Sequence, residues 1–459
     1  MGCTLSRTQD ENGTEAHQFQ TIDIFVFVPG FRLPKSGDAG KLLQGRISNG
    51  LAERLSSSRA RIVVLATRFC FRTEKERRKN LTDFGGSNLT ELQVALEDYL
   101  SILRGFLREG FHLSDIADFS WSNQEDEIKE TTLRSAHYEL LSVLHLLGML
   151  YLLEANIKLT PNSPADGYQP KFVEESKKAA IELLLKAAQV LECGLNFVLP
   201  QFPANLKEKL PVDLQEGVLR ALQLQALSQG VEIQLGLAID NVKATLPVKR
   251  RLACEELKCW KQTQENLSKV YLGSDWGVKH TLFVKWKCIE GKAAAYYYHG
   301  LILDESLQEN AHAKAVACLQ EAEALLKESQ KICFEFCAAP PRTRFPILWG
   351  PMVHLSEKIP KDLSKAQASR DVYCREKARE PLPDLPDFSI ALKAEPYDFP
   401  PIDMAWAKEV NFKLSPSVRN HLPMKQDVVR QDGHVEQLMQ KQKQQSKSFH
   451  SYDMPVRKS

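Results

Sequence analysis

The sequence contains no uninterrupted apolar run of about 18 residues, the length a helix needs to cross a bilayer. Its first 20 residues are polar, without the apolar stretch that marks a secretory signal, so any membrane contact is expected to be peripheral. An excess of either charge is also missing: 60 Lys and Arg stand against 58 Asp and Glu, a formal net charge of +2. No global field exists to draw in nucleic acid, which is not expected as a partner.

The signatures of common catalytic and metal sites are absent too. The 10 cysteines are scattered, and the closest pairs, Cys254-x4-Cys259 and Cys333-x3-Cys337, lack both C-x-x-C spacing and a matching second half. Several lie in helical apolar patterns, where Cys acts as a small hydrophobe, and a reducing cytosolic compartment follows. The 11 histidines do not cluster, and His137 and His145 fall in an apolar helical pattern as core or groove residues. The stretch FVPGFRLPKSGDAGKLL invites a phosphate-loop reading, but Gly40-Lys41 is followed by Leu42, and Lys35 stands where the first glycine belongs. VFVPGF is similar to a hydrolase strand bearing an oxyanion loop, yet no G-x-S-x-G elbow occurs. No enzyme, cofactor or small-molecule substrate is expected, and a binding scaffold is favoured.

What is present is mainly helix, in a chain of 459 residues that is 43% hydrophobic. Two runs, IDIFVFVPGFRL (Ile22 to Leu33) and RIVVLATRFCF (Arg61 to Phe71), have the β-branched and aromatic character of strands. From Leu89 onward the apolar period becomes helical, with Leu92, Leu96, Leu100 and Leu103 on one face. Long helices are predicted over 89–107, 135–159, 172–199, 212–239, 280–303 and 311–336. Short polar links and Ala or Gly at close-approach positions make them antiparallel hairpins of the tetratricopeptide-like kind, without a fixed 34-residue period. Tyr296-Tyr297-Tyr298 covers a broad arc of one helix, which should be flanked on more than one side. Residues 379–409 are too proline-rich for helix and read as an extended strap packed on the helical body. From Lys425 the chain is Gln- and Lys-rich and is expected to be disordered.

Three stretches carry a family resemblance. The Leu-rich helix over 135–159 follows the aromatic FSWSNQEDE (Phe119 to Glu127). LRALQLQALSQGVEIQLGLAI (Leu219 to Ile239) is followed by KWKCIEGKAAAYYYHGLIL, and the chain then leaves the helices through DVYCREKAREPLPDLPDFSIALKAEPYDFP (Asp371 to Pro400). In order and spacing these resemble the ALIX-type Bro-like domain of ESCRT-associated adaptors over roughly residues 21 to 415. The resemblance implies a boomerang-shaped helical array with a tetratricopeptide-like core and a small N-terminal β-hairpin, in agreement with the two strand-like runs. It also implies an apolar groove for the C-terminal amphipathic helix of an ESCRT-III filament subunit, on endosomal membranes. In this chain Leu214, Val218 and Leu222, at four-residue spacing, are the expected groove wall, although Gln223 and Gln225 make that helix more polar than such a wall requires.

The N-terminus, MGCTLS, fits the acylation pattern M-G-x-x-x-[ST], with Gly2 as myristoyl acceptor, Ser6 at the preferred position and Cys3 open to palmitate. The expected organisation is an acylated arm over 1–20, a Bro-like helical domain over 21–415 and a tail over 416–459. The expected function is a non-catalytic endosomal-sorting adaptor, cytoplasmic and peripheral on endosomal or plasma membrane. The rival readings are a tetratricopeptide-like scaffold for another peptide and a hydrolase built on the N-terminal strands.

Overall fold

A computed structural model describes residues 25–37, 43, 46–68, 87–107, 115, 117–124, 129–159, 170–273, 275–308, 310–341, 351–373 and 381–407. Gly2, Cys3, the rest of the arm and the tail over 416–459 lie outside these residues. The compact unit described here ends at Trp406.

Its long helices are α1 (Asn49–Thr67), α2 (Ser87–Phe106), α3 (Ala136–Leu159), α4 (Pro170–Cys193), α5 (Glu216–Asp240), α6 (Leu246–Leu267), α7 (Asp275–Asp304), α8 (Ala311–Ala338) and α9 (Pro351–Tyr373). Each packs chiefly on its neighbours in sequence, so the chain turns back on itself as a series of helical hairpins. Helix α3 is long and apolar enough to cross a membrane by composition, with a mean hydropathy of 1.7 over its best window. Protein surrounds it instead, and that window is 83% buried. Helix α7 lies between α6 and α8, with α9 also against it, and its three consecutive tyrosines are all buried. Gly300 lets α8 close in, because a Cβ there would stand 3.1 Å from the Cys318 Cβ.

The N-terminal β reading needs correction. The only strands among the described residues are β1 (Phe119–Ser122) and β2 (Glu130–Leu133), an antiparallel hairpin in which Phe119 faces Leu133 and Trp121 faces Thr131. Residues 61–67 of the supposed second strand belong to α1. Ser48 caps that helix by accepting from Leu51 N, and Leu51, Leu55, Arg59, Ile62, Leu65 and Ala66 form its buried face. The β-branched trio from Ile62 to Val64 favours strand locally, but this helical spacing of buried residues overrides it. The first run is extended from residue 25 and meets β1 only at its end, where Lys35 N donates to Ser120 O and Ser122 N to Leu33 O.

Besides α1, two helices were not anticipated: α6, in which charged and apolar residues are mixed, and α9, which carries Pro360 inside it. Residues 381–403 run without helix or strand across the helices. Leu385 and Phe388 pack on the core cluster shared by α5 to α9, Lys258 binds Asp387 at 2.8 Å, and Ala391 N donates to Glu255. The end of the strap is stapled to α2 by Trp406, whose Nε1 donates to Ile102 O at 3.0 Å.

Candidate functional site

Helix α5 is the centre of the molecule, flanked by α4 and α6. It does not present the expected groove wall: Leu214, Val218 and Leu222 are 0%, 3% and 0% exposed. Leu214 lies in a short turn before α5, and the other two project from the helix into the same interior. The stripe is core because helices cover both flanks of α5.

The polar residues of α5 have a separate task. Gln225 Nε2 donates to Phe27 O at 2.7 Å and Gln229 Nε2 to Phe25 O at 3.0 Å. His280 Nε2 shares a 2.7 Å hydrogen bond with Gln225 Oε1, and Asn156 Oδ1 accepts from Val26 N at 2.9 Å. These side chains stand in for a neighbouring strand and satisfy a buried extended segment that has no sheet around it. Burial disfavours the imidazolium of His280 and pushes its pKa down to about 3, so it is neutral in this bond.

Three further polar clusters are sealed from solvent. Arg32 binds Asp213 at 2.7 Å and Tyr138 at 2.8 Å, and Asp213 also accepts from Gln124 N. Glu139 collects Arg59, Tyr99 and Trp121. Lys287 joins Glu232 at 2.6 Å and Glu290 at 2.7 Å, with Glu256 close enough to repel both carboxylates. Burial, reinforced by that repulsion, holds the Glu256 carboxyl well above the usual range. All of these groups are buried, so they organise the core and offer no surface to a ligand.

The surface feature that does fit a ligand is an apolar rim at the far end of the central hairpins. Ile239 at the end of α5, Leu246 and Leu252 at the start of α6, and Leu301 and Leu303 at the end of α7 are half-buried against one core cluster. Val248 on α6 is 47% exposed beside them. Lys249, Arg250 and Arg251 interleave this rim, with Arg250 placed over the Phe388 ring of the strap at 6.0 Å. A sequence signal existed in VKATLPVKRRLA, which mixes Leu and Val with Lys and Arg, but its apolar residues follow no clean amphipathic period.

The order of helices, hairpin and strap can now be set beside known proteins. Residues 72–374 match the model of the BRO1-like domain. The chain belongs to the BRO1-like domain family. No curated protein sequence matches. Among solved structures, one described as the basis for endosomal targeting by the Bro1 domain is similar with a TM-score of 0.53 and 16% identity. That match covers 85% of this chain and 98% of the other. A complex of the ALIX BRO1 domain with CHMP4C is similar with a TM-score of 0.53 and 18% identity, over 83% of this chain and 96% of that one. ALIX in complex with the SIVmac239 PYKEVTEDL late domain gives 0.54 and 16% identity, over 84% of this chain and 51% of that one. At such identities the likeness is one of fold. The BRO1-like match ends at residue 374, whereas the strap packed on the same helices continues to Trp406.

Proposed function

We propose that this BRO1-like domain protein is a non-catalytic adaptor that docks the C-terminal amphipathic helix of an ESCRT-III subunit on its apolar rim. Acyl chains on Gly2 and Cys3 hold it on endosomal or plasma membrane. The observation that carries the docking reading is the rim itself: five half-buried apolar residues and Val248 interleaved with basic side chains, on a fold of this family. Such a surface suits a helix with one apolar stripe and an acidic flank. The similarity to an ALIX BRO1 domain bound to CHMP4C supports a partner of this kind. The MGCTLS pattern supports the anchor, since one myristoyl chain binds only marginally and a palmitoylated neighbour makes residence long.

The test is titration of the full-length chain with synthetic C-terminal helices of ESCRT-III subunits, followed by fluorescence anisotropy. Leu252→Asp is expected to weaken the tightest of these at least tenfold with its melting temperature kept, because a charge facing the partner's apolar stripe must be desolvated unpaired. Leu222→Asp is expected to destabilise the fold itself, since that side chain is wholly interior. A Leu252→Asp protein that folds and binds as before would place the docking face elsewhere.

A further inference from the structure

Helix α6 carries part of the rim and also meets the strap, and one buried carboxylate joins the two. Val248 and Leu252 lie four residues apart, and Glu255, three residues further on, continues their stripe along the helix. The strap crosses α6 at Glu255. That side chain is buried, and both of its oxygens are engaged: Oε1 accepts from Arg251 Nε at 2.8 Å and Oε2 from Ala391 N of the strap at 3.1 Å. Arg251 follows Val248 by three residues and so borders the rim stripe. Its side chain is 52% exposed, and its Nη1 and Nη2 groups bond no described residue. The other cations of this part of α6 are differently employed. Arg250 turns to the strap, with Nη1 3.5 Å from His299 Nδ1 and the Phe388 ring beneath it. Lys258 is taken up by Asp387 and Phe388 O, and Lys249 lies near His354, as does Asp240.

We propose that Arg251, set in place by Glu255, is the specificity-determining cation of the rim, and that its open edge takes a carboxylate on the flank of the docked helix. It rests on the reading that an amphipathic helix docks on the rim. Arginine suits this task because its N–H donors form a rigid planar fork: Nε is spent on Glu255, and the Nη pair is left for a second carboxylate. The Ala391 N–H takes up part of the Glu255 charge, so the guanidinium keeps positive character for a further anion. Glu255 also restricts a long side chain that would otherwise lose more rotamer freedom when a partner binds. With Val248 and Leu252 against the partner's apolar stripe, Arg251 meets the residue beside that stripe. An acidic side chain there gains a charge-assisted pair, whereas a basic one meets like charge and is rejected. The strap thereby takes part in recognition, through the hydrogen bond of Ala391 to the residue that positions Arg251.

The experiment is anisotropy titration of the full-length chain with the ESCRT-III C-terminal helix that binds it tightest, and with copies of that helix in which each Asp or Glu in turn is replaced by Asn or Gln. One replacement is expected to weaken binding to the parent chain about fivefold, the scale of a single interfacial charge pair, and to make no difference to Arg251→Gln. Arg251→Lys keeps the charge without the fork and should retain only part of that discrimination. Glu255→Gln should lose discrimination while binding the neutral copy as the parent does, a pattern that a loosened fold does not produce. The proposal is overturned if Arg251→Gln discriminates among the copies as the parent does, or if Glu255→Gln discriminates as fully as the parent. Failure of the docking reading appears separately, as no binding of any helix to the parent chain, and that result overturns both. If Leu252→Asp leaves binding intact while the Arg251 coupling persists, the apolar face lies elsewhere and Arg251 keeps its role.

Discussion

Gln225 shows why single polar residues in an apolar helix need a structural explanation. Its amide donates to Phe27 O while its carbonyl oxygen meets His280, and none of these groups reaches water. Gln225→Leu keeps the size but leaves a buried carbonyl and a buried imidazole nitrogen unpaired, at about 1–3 kcal/mol for each orphaned group. Urea unfolding should therefore show a loss of ~3 kcal/mol with an unchanged slope, and hydrogen exchange of Phe27 and Val28 amides should quicken. The same substitution on a groove wall would have strengthened apolar binding, so the sign separates the two roles of this helix.

At the scale of elements, the strap is held through a few side chains set among prolines. Trp406 is buried between Phe106, in an edge-to-face contact at 5.0 Å, and Gly105, where any Cβ would collide with its ring. Arg104 donates to Pro400 O at 2.6 Å and lies over the Phe399 ring, and Arg54 binds Asp403. Trp406→Ala is expected to cost ~3–5 kcal/mol, in the range for emptying a large aromatic site. Exchange should rise over residues 396–406 while α7 and α8 keep their protection, because the hydrogen bonds that hold residues 387–391 run to Lys258 and Glu255 of α6 and do not depend on Trp406. If α7 and α8 loosen equally, the strap and the helical body form a single cooperative unit.

For the molecule as a whole, buried titratable groups set how stability depends on pH. His145 and His280 are both pushed from 6.5 down to about 3 by burial. Their folded pKa is depressed, so the unfolded chain takes up protons first, and the stability they contribute above 6.5 is lost as pH falls toward about 3. Glu256 and Glu290 act in the opposite sense. Burial raises their folded pKa, so their contribution is complete below the ordinary Glu range and is lost as pH rises through the raised value. Thermal melts should thus trace a dome: a His145→Gln, His280→Gln double variant should flatten its acid limb, and Glu256→Gln should flatten the decline toward higher pH. An acid limb unchanged in the double variant would show that other groups set it.

The sequence by itself determined the helical class, because the apolar period over 89–107, 172–199 and 311–336 is a local property that any core must satisfy. It also determined the family, through the order of its Leu-rich, Gln-rich and Pro-rich stretches, and it excluded helix across the strap through proline chemistry. Only tertiary structure decided the rest. Arg61 to Thr67 has strand propensity yet forms helix, since the buried face of α1 and the ion pair of Arg59 with Glu139 outweigh a local preference. Leu214, Val218 and Leu222 read the same as a groove wall or a core stripe, because amphipathic spacing says that a face is covered and not by what. Here α4 and α6 cover it. The rim around Leu252 draws residues from separate helices, and only the stacking of the hairpins brings them together.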